Sequence, residues 1–254
     1  MARTSVAKSN PKSNALVQFS DEAELDALRS RLAAPSGDKI SISNKKFTLP
    51  GGSALDYLDI VIVDFVYFNK YYEGAYDPKV IVPPNCFALN QQPKEMVPSA
   101  NSPDKQCESC TGCWANEFGS QGTGKACQNR VLLACLPTDA GPETPFVILD
   151  ISPTALKSFS SYVGSVASTF KRLPYGVVTH IECNPTVKHD VCVFSDAQPF
   201  DMEDVEQAEF VAMVRARRGE ALERLLTEPD VSSFKAANDA PKKGALKAPA
   251  KRRA

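Results

Sequence analysis

The chain has 254 residues, 43% of them apolar and 23% charged, with a formal net charge of -1. That composition is ordinary for a globular protein and is enough for a buried core. No apolar run reaches the roughly 18 residues that a membrane helix needs. The polar stretch 1–14 lacks the apolar segment of a secretory signal, so a cytoplasmic protein with no membrane partner is expected. In that compartment the eight cysteines read as metal ligands or buried thiols rather than as disulfides.

Residues 1–14 read as a disordered N-terminus. Ser20 can cap a helix with Asp21 and Glu22 in its first turn and Leu25, Leu28 and Leu32 on its apolar side. Short strands are expected at 39–43 and 46–49, closed by Pro50-Gly51-Gly52. The strongest strand signal is 58–72, rich in β-branched and aromatic residues and long enough to call for a bend or bulge. Further strands are expected at 85–90, 130–136 and 146–151. Ser152-Pro153 starts a helix running to Phe170 that buries Leu156, Phe159, Val163 and Val166. Strands at 175–183 and 191–194 pair across Asn184-Pro185. A helix over 202–226 carries Val205, Phe210, Met213, Val214, Leu222, Leu225 and Leu226 on its apolar side. The stretch 231–254 is rich in Ala, Pro and Lys and reads as a disordered basic tail. It is either an arm for nucleic acid or a solubilising extension.

The strands are not separated by regular helices, which disfavours a doubly wound parallel sheet. The expected fold class is α+β, mainly β. The arrangement that fits the order is an OB-like Greek-key barrel over 15–230, with a metal-binding loop inserted at 104–129 and a helix at its C-terminal end.

That loop carries Cys107, Cys110, Cys113 and Cys127, three at two-residue gaps and the fourth beyond a Gly-rich turn. Four thiolates suit Zn²⁺, and a polar, Gly-rich stretch with little core of its own gains folding energy from a metal. The triple Cys-x-x-Cys-x-x-Cys spacing also suits an iron–sulfur cluster. Cys86, Cys135, Cys183 and Cys192 lie in apolar strand patterns and read as buried core thiols. His180 and His189 read as structural.

The segment Cys110-Thr-Gly-Cys113-Trp-Ala-Asn-Glu-Phe-Gly-Ser, followed by Gly124-Lys-Ala-Cys127-Gln-Asn-Arg130, resembles a group of bacteriophage proteins regarded as single-stranded-DNA-binding. The resemblance extends through Ile151-Ser-Pro-Thr-Ala-Leu156 and its helix to the strand near 177–181. It departs at Trp114, where the group has Pro, and Cys107 has no counterpart in the pattern. It implies a non-enzymatic, sequence-tolerant single-stranded-DNA-binding protein of phage replication or recombination, in the host cytoplasm, with a zinc loop set in an OB barrel.

Such binding needs aromatic faces for bases and cations for phosphates. The candidates are Tyr67, Tyr71 and Tyr72 for stacking, followed by Tyr76, and Lys45, Lys46, Lys70, Lys125 and Arg130 for phosphate, with Lys79, Lys171 and Arg172 behind them. Lys125 and Arg130 flank Cys127, so a metal there would hold both in place. Expected partners are single-stranded DNA, replication or recombination proteins, and further copies of the chain. Two other readings fit the same residues. In one, a phage protein engages a host protein through its zinc module to alter transcription or defence. The other is an iron–sulfur redox protein. Gly122-Thr-Gly-Lys125 lacks the spacing and the following Ser or Thr of a phosphate-binding loop.

Overall fold

A computed structural model describes residues 38–52, 54–74 and 82–232. The helix expected after Ser20, Tyr76, Lys79 and the basic tail from residue 233 lie outside the described residues. Nine strands and three helices are described, mostly strand with the helices packed on both faces of one curled sheet. The strands are β1 (Lys39–Ser43), β2 (Lys46–Thr48), β3 (Ala54–Leu55), β4 (Tyr57–Tyr71), β5 (Cys86–Asn90), β6 (Cys127–Pro137), β7 (Val147–Ile151), β8 (Val177–Cys183) and β9 (Cys192–Pro199). The helices are α1 (Leu156–Phe170), α2 (Val205–Ala216) and α3 (Arg218–Leu225). No described helix is long and apolar enough to cross a membrane.

The pairing order is β3-β2-β1-β7-β6-β4-β8-β9, with β5 also on β4. Strand β4 is the spine. Most of it pairs β6, from Ile60 opposite Pro137 to Tyr71 opposite Cys127. Its other edge is shared: β8 takes Tyr57 to Ile60, and β5 takes Tyr67 to Tyr71. The path is open at β3 and β9 among the described residues, so the sheet is a curled half-barrel. All pairs are antiparallel except β1 with β7.

Both faces of the spine are covered, which is why it reads as an unbroken apolar run rather than a clean alternation. On one face Ile60, Ile62, Val131, Leu133, Leu149 and Ile151 pack against Phe159, Tyr162 and Val166 of α1. The buried Tyr162 hydroxyl is satisfied by Thr179 Oγ1 at 2.8 Å. On the other face Val61, Val63, Val66, Phe68, Leu132 and Ile148 pack against Val211, Val214, Ala221 and Leu225 of α2 and α3. The ring of Phe159 meets Phe65 at 5.1 Å and Phe194 at 5.2 Å. Phe159→Ala should therefore cost about 3–5 kcal/mol, seen as a lower urea midpoint at unchanged slope.

The bend expected in 58–72 is a β-bulge between Ile62 and Asp64. Its effect is to reverse the alternation. Before it the even positions, Ile60 and Ile62, face α1. After it the odd positions, Phe65 and Tyr67, belong to that face, and Val66 and Phe68 to the other. The displaced Asp64 accepts the Phe65 N–H at 2.8 Å and pairs with Arg218 at 2.8 Å.

The single helix expected over 202–226 is two helices, broken at Arg217. The Arg217 guanidinium lies 4.3 Å over the Phe146 ring and donates to the Thr144 carbonyl at 2.7 Å. Asp204 caps α2 by accepting from the Glu206 and Gln207 N–H groups. That cap fixes Val205 at the first helical position, where it is 69% exposed instead of joining the core.

Candidate functional site

Beyond Phe65, the face that α1 covers continues along β4 through Tyr67, Asn69 and Tyr71. Residues directly opposite one another on neighbouring strands project to the same face. Tyr71 is opposite Cys86 on β5 and Cys127 on β6, and Asn69 is opposite Ala88 and Asn129. The face therefore ends in two thiols flanking Tyr71, with a short amide ladder behind them. The chain between β5 and β6 folds over it. Met96, buried, packs with Ala88 and Cys110, and the Cys110 N–H donates to the Met96 carbonyl at 3.0 Å.

Asparagines lock the loop onto the sheet. Asn129 Nδ2 donates to Asn69 Oδ1 at 2.7 Å and to Asn116 Oδ1 at 3.0 Å, and Asn116 Nδ2 donates to the Cys110 carbonyl at 2.9 Å. Lys125 Nζ donates to the same Asn116 Oδ1 at 3.2 Å. Between Cys110 and Cys113 the backbone turns at Gly112 with φ +75, a conformation that favours glycine. A 3₁₀ turn, Trp114–Asn116, then closes with the Asn116 N–H on the Cys113 carbonyl at 2.9 Å.

Cys86, Cys110, Cys113 and Cys127 line one cavity of about 10 Å³, together with Asn69, Tyr71 and Asn116. That is about the space of one water or ion. No carboxylate, lysine or arginine lines it. All eight cysteines are free thiols. Among the described residues no group of three or more His, Cys, Asp or Glu is arranged so that it could hold a metal ion as it stands. The donor chemistry nevertheless fits a thiophilic cation. Burial pushes the Cys127 thiol up to about 12, with the Cys110, Cys86 and Cys113 sulfurs adding to it and Lys125 opposing. Burial also raises Cys110, and it raises Cys113, which a hydrogen bond to Cys107 raises further. A bound dication offsets both the burial and the mutual repulsion of thiolates.

The expected nucleic-acid candidates do not share one surface. Because the bulge inverts the alternation, Tyr67 and Tyr71 lie on the thiol face, while Lys70 lies on the opposite face with Phe68. Tyr67 packs under Met96 and Cys110, and the Tyr71 ring stands edge-on to Trp114 at 5.6 Å. Arg130, opposite Phe68, also projects away from Cys127, so the loop does not hold it. Asp150 holds it instead: Arg130 Nε donates to Asp150 Oδ1 at 2.5 Å, and Lys70 Nζ to Oδ2 at 3.3 Å. Tyr72 lies half-buried near the same charges. Burial lowers the Lys70 pKa, against the pull of Asp150. Asp150→Ala strands two cations that are each less than a fifth exposed. We expect a loss of about 2 kcal/mol in chemical denaturation, below the 3–5 of a fully buried pair.

The remaining lysines are scattered. Lys45 sits at φ +65 in the β1–β2 turn, with its N–H on Asp190 Oδ1 at 2.9 Å and its ammonium on the His189 carbonyl. Lys46 pairs with Asp56 at 2.7 Å. Arg172 donates to the Gly176 and Phe200 carbonyls, and Lys171 ends α1 at φ +56. Among the cysteines expected in the core, Cys135 is fully buried and Cys183 faces Cys192 across β8 and β9. Cys86 is different, since it borders the loop thiols. His180 Nδ1 meets Asp59 at 2.6 Å beside the Tyr57 ring.

Two aromatics outside the expected stacking set stand exposed on the loop itself. Trp114 is 48% exposed and Phe118 is 80% exposed. Lys125 Nζ lies 4.9 Å over the Phe118 ring, on the same loop. The available signal was their setting: the chain's one Trp and a Phe in a polar, Gly-rich stretch with no apolar neighbours to bury them. No protein family, curated sequence or solved structure matches the chain.

Proposed function

We propose that this protein binds single-stranded DNA without catalysing a reaction, and that the binding surface is the outer side of the cysteine loop. The observation that carries the reading is the pair of exposed rings, Trp114 and Phe118, with the half-buried Lys125 over the Phe118 ring, on a loop pinned by asparagines to the sheet. Two aromatic faces accept stacked bases of any identity, and one ammonium beside them accepts phosphate, which is the chemistry of sequence-tolerant strand binding. A structural zinc on the loop thiols would fix the spacing of those groups. The curl of the sheet is what an OB-like origin would require, and a role in phage replication or recombination belongs to the same reading.

The test is a titration of the purified protein with oligo-dT at several salt concentrations. Binding that weakens linearly in log–log form, with Lys125→Gln lowering the slope by about 0.7, supports the reading. No binding at low salt overturns it. The exposed Phe118 also suits a protein partner, and the host-protein reading takes over in that case. A visible iron–sulfur chromophore on anaerobic purification would favour the redox reading instead.

A further inference from the structure

We propose that Cys86, on strand β5 and outside the cysteine loop, is a metal ligand, and that the set is Cys86, Cys110, Cys113 and Cys127 around one Zn²⁺, with Cys107 excluded. The proposal rests on the reading of the loop as a zinc module and changes which thiols hold the ion.

Register carries the first part of the argument. Cys86 and Cys127 open β5 and β6, and both are opposite Tyr71, one on each side of β4. They therefore project to the same face at the same level of the sheet. The loop delivers Cys110 and Cys113 onto that level from above. Met96 holds the Cys110 backbone against β5, and Asn116 ties it to Asn129 and Asn69 on β6 and β4. The four sulfurs come from three separate stretches of chain and line one cavity about the size of an ion. Cys107 lies near Cys113 and Cys110 but lines no part of the cavity, whereas Cys86 does.

The donor set carries the second part. Four sulfurs with no carboxylate among them select a thiophilic ion in tetrahedral geometry, at Zn–S distances of about 2.3 Å. The amides that would steady the thiolates are in place, since Asn69 and Asn116 line the same cavity as the four sulfurs. Cys86 then ties the loop to a strand that the loop's own spacing does not include.

The experiment uses the full chain as wild type, Cys86→Ser and Cys107→Ser. Metal analysis after dialysis and Co²⁺ substitution report stoichiometry and the number of thiolates. We expect one metal per chain and a four-thiolate Co²⁺ spectrum for wild type and for Cys107→Ser. Cys86→Ser should show a three-thiolate spectrum. Its affinity should fall by more than the roughly tenfold to hundredfold that loss of an outer supporting group costs. Should Cys86→Ser fail to fold, alkylation of the wild type mapped by mass spectrometry gives the answer. Cys86 should react together with Cys110, Cys113 and Cys127 only after chelation, and Cys107 with or without it. Wild-type metal content and spectrum in Cys86→Ser, their loss in Cys107→Ser, or no metal in the wild type would each overturn the proposal. Oligo-dT titration of the same samples separates the two claims: full metal binding without DNA binding ends the functional reading and leaves the four-sulfur site standing.

Discussion

If the loop holds zinc as proposed, stripping it with a chelator, or replacing Cys110 by serine, should unfold residues 91–126 and leave the sheet folded. Within that stretch only Met96, Pro98, Ser102, Cys110, Cys113 and Ala115 are buried. The hydrophobic gain from so few side chains is small against the backbone entropy of ordering the loop, at about 1–2 kcal/mol per residue. A structural zinc is worth about 10–16 kcal/mol in small metal-folded peptides, which is the scale the loop lacks. The two cores beneath α1 and beneath α2 and α3 contain none of the loop's thiols. Hydrogen exchange should therefore show protection of the Cys110 and Ala126 amides falling by about a hundredfold or more. The amides of β4 and β6 above the bulge should change little. Global unfolding on chelation, or an unchanged loop, would show that the metal is not what orders this segment.

The second large effect concerns Trp114 and Phe118. Trp114→Ala and Phe118→Ala should each weaken oligo-dT binding roughly 5- to 150-fold, the 1–3 kcal/mol of one base–aromatic stack. Tyr67→Phe should not change it, because Tyr67 lies beneath Met96 and Cys110 rather than on the outer side of the loop. Fluorescence of the single Trp gives a direct readout, since oligo-dT should quench it in the wild type and in Tyr67→Phe alike. Equal affinity in all three variants would move the binding surface off the loop and refute the assignment, even if the protein still binds DNA.

How much of this could be read in advance depends on whether the deciding contact is local. Strand β4 announces itself because a β-branched and aromatic run carries its own propensity. The need for a bulge was also legible, from length alone. The site of the bulge was not, and that one residue decides whether Tyr71 or Tyr72 joins the thiol face. The expected pairing of Lys125 with Arg130 around Cys127 fails on the strand alternation of β6 alone: 127 and 130 are three apart and point to opposite faces. The commitment of Lys70 and Arg130 to Asp150 depends on β7 lying beside β6, a long-range fact. The helix break at Arg217 depends on Phe146 and Thr144, equally distant in sequence. Cys86 looked like a core thiol because its neighbours Phe87 and Ala88 are apolar. Only the register that puts it opposite Tyr71 sets it among the loop cysteines.

The arrangement of partners along β4 also bears on how the chain assembles as it is made. The end of the spine that holds Tyr71 finds Cys86 a short distance on, whereas Leu58 at the other end waits for Ile181. During synthesis at about 5–20 residues per second, the apolar N-terminal half of β4 is exposed for several seconds before β8 emerges. The β4–β5–β6 end, with the thiols, can close first, since its partners are nearer in sequence. The late-arriving β8–β9 pair then covers an open strand edge, which until that moment is the part of the nascent protein most prone to pair with another chain.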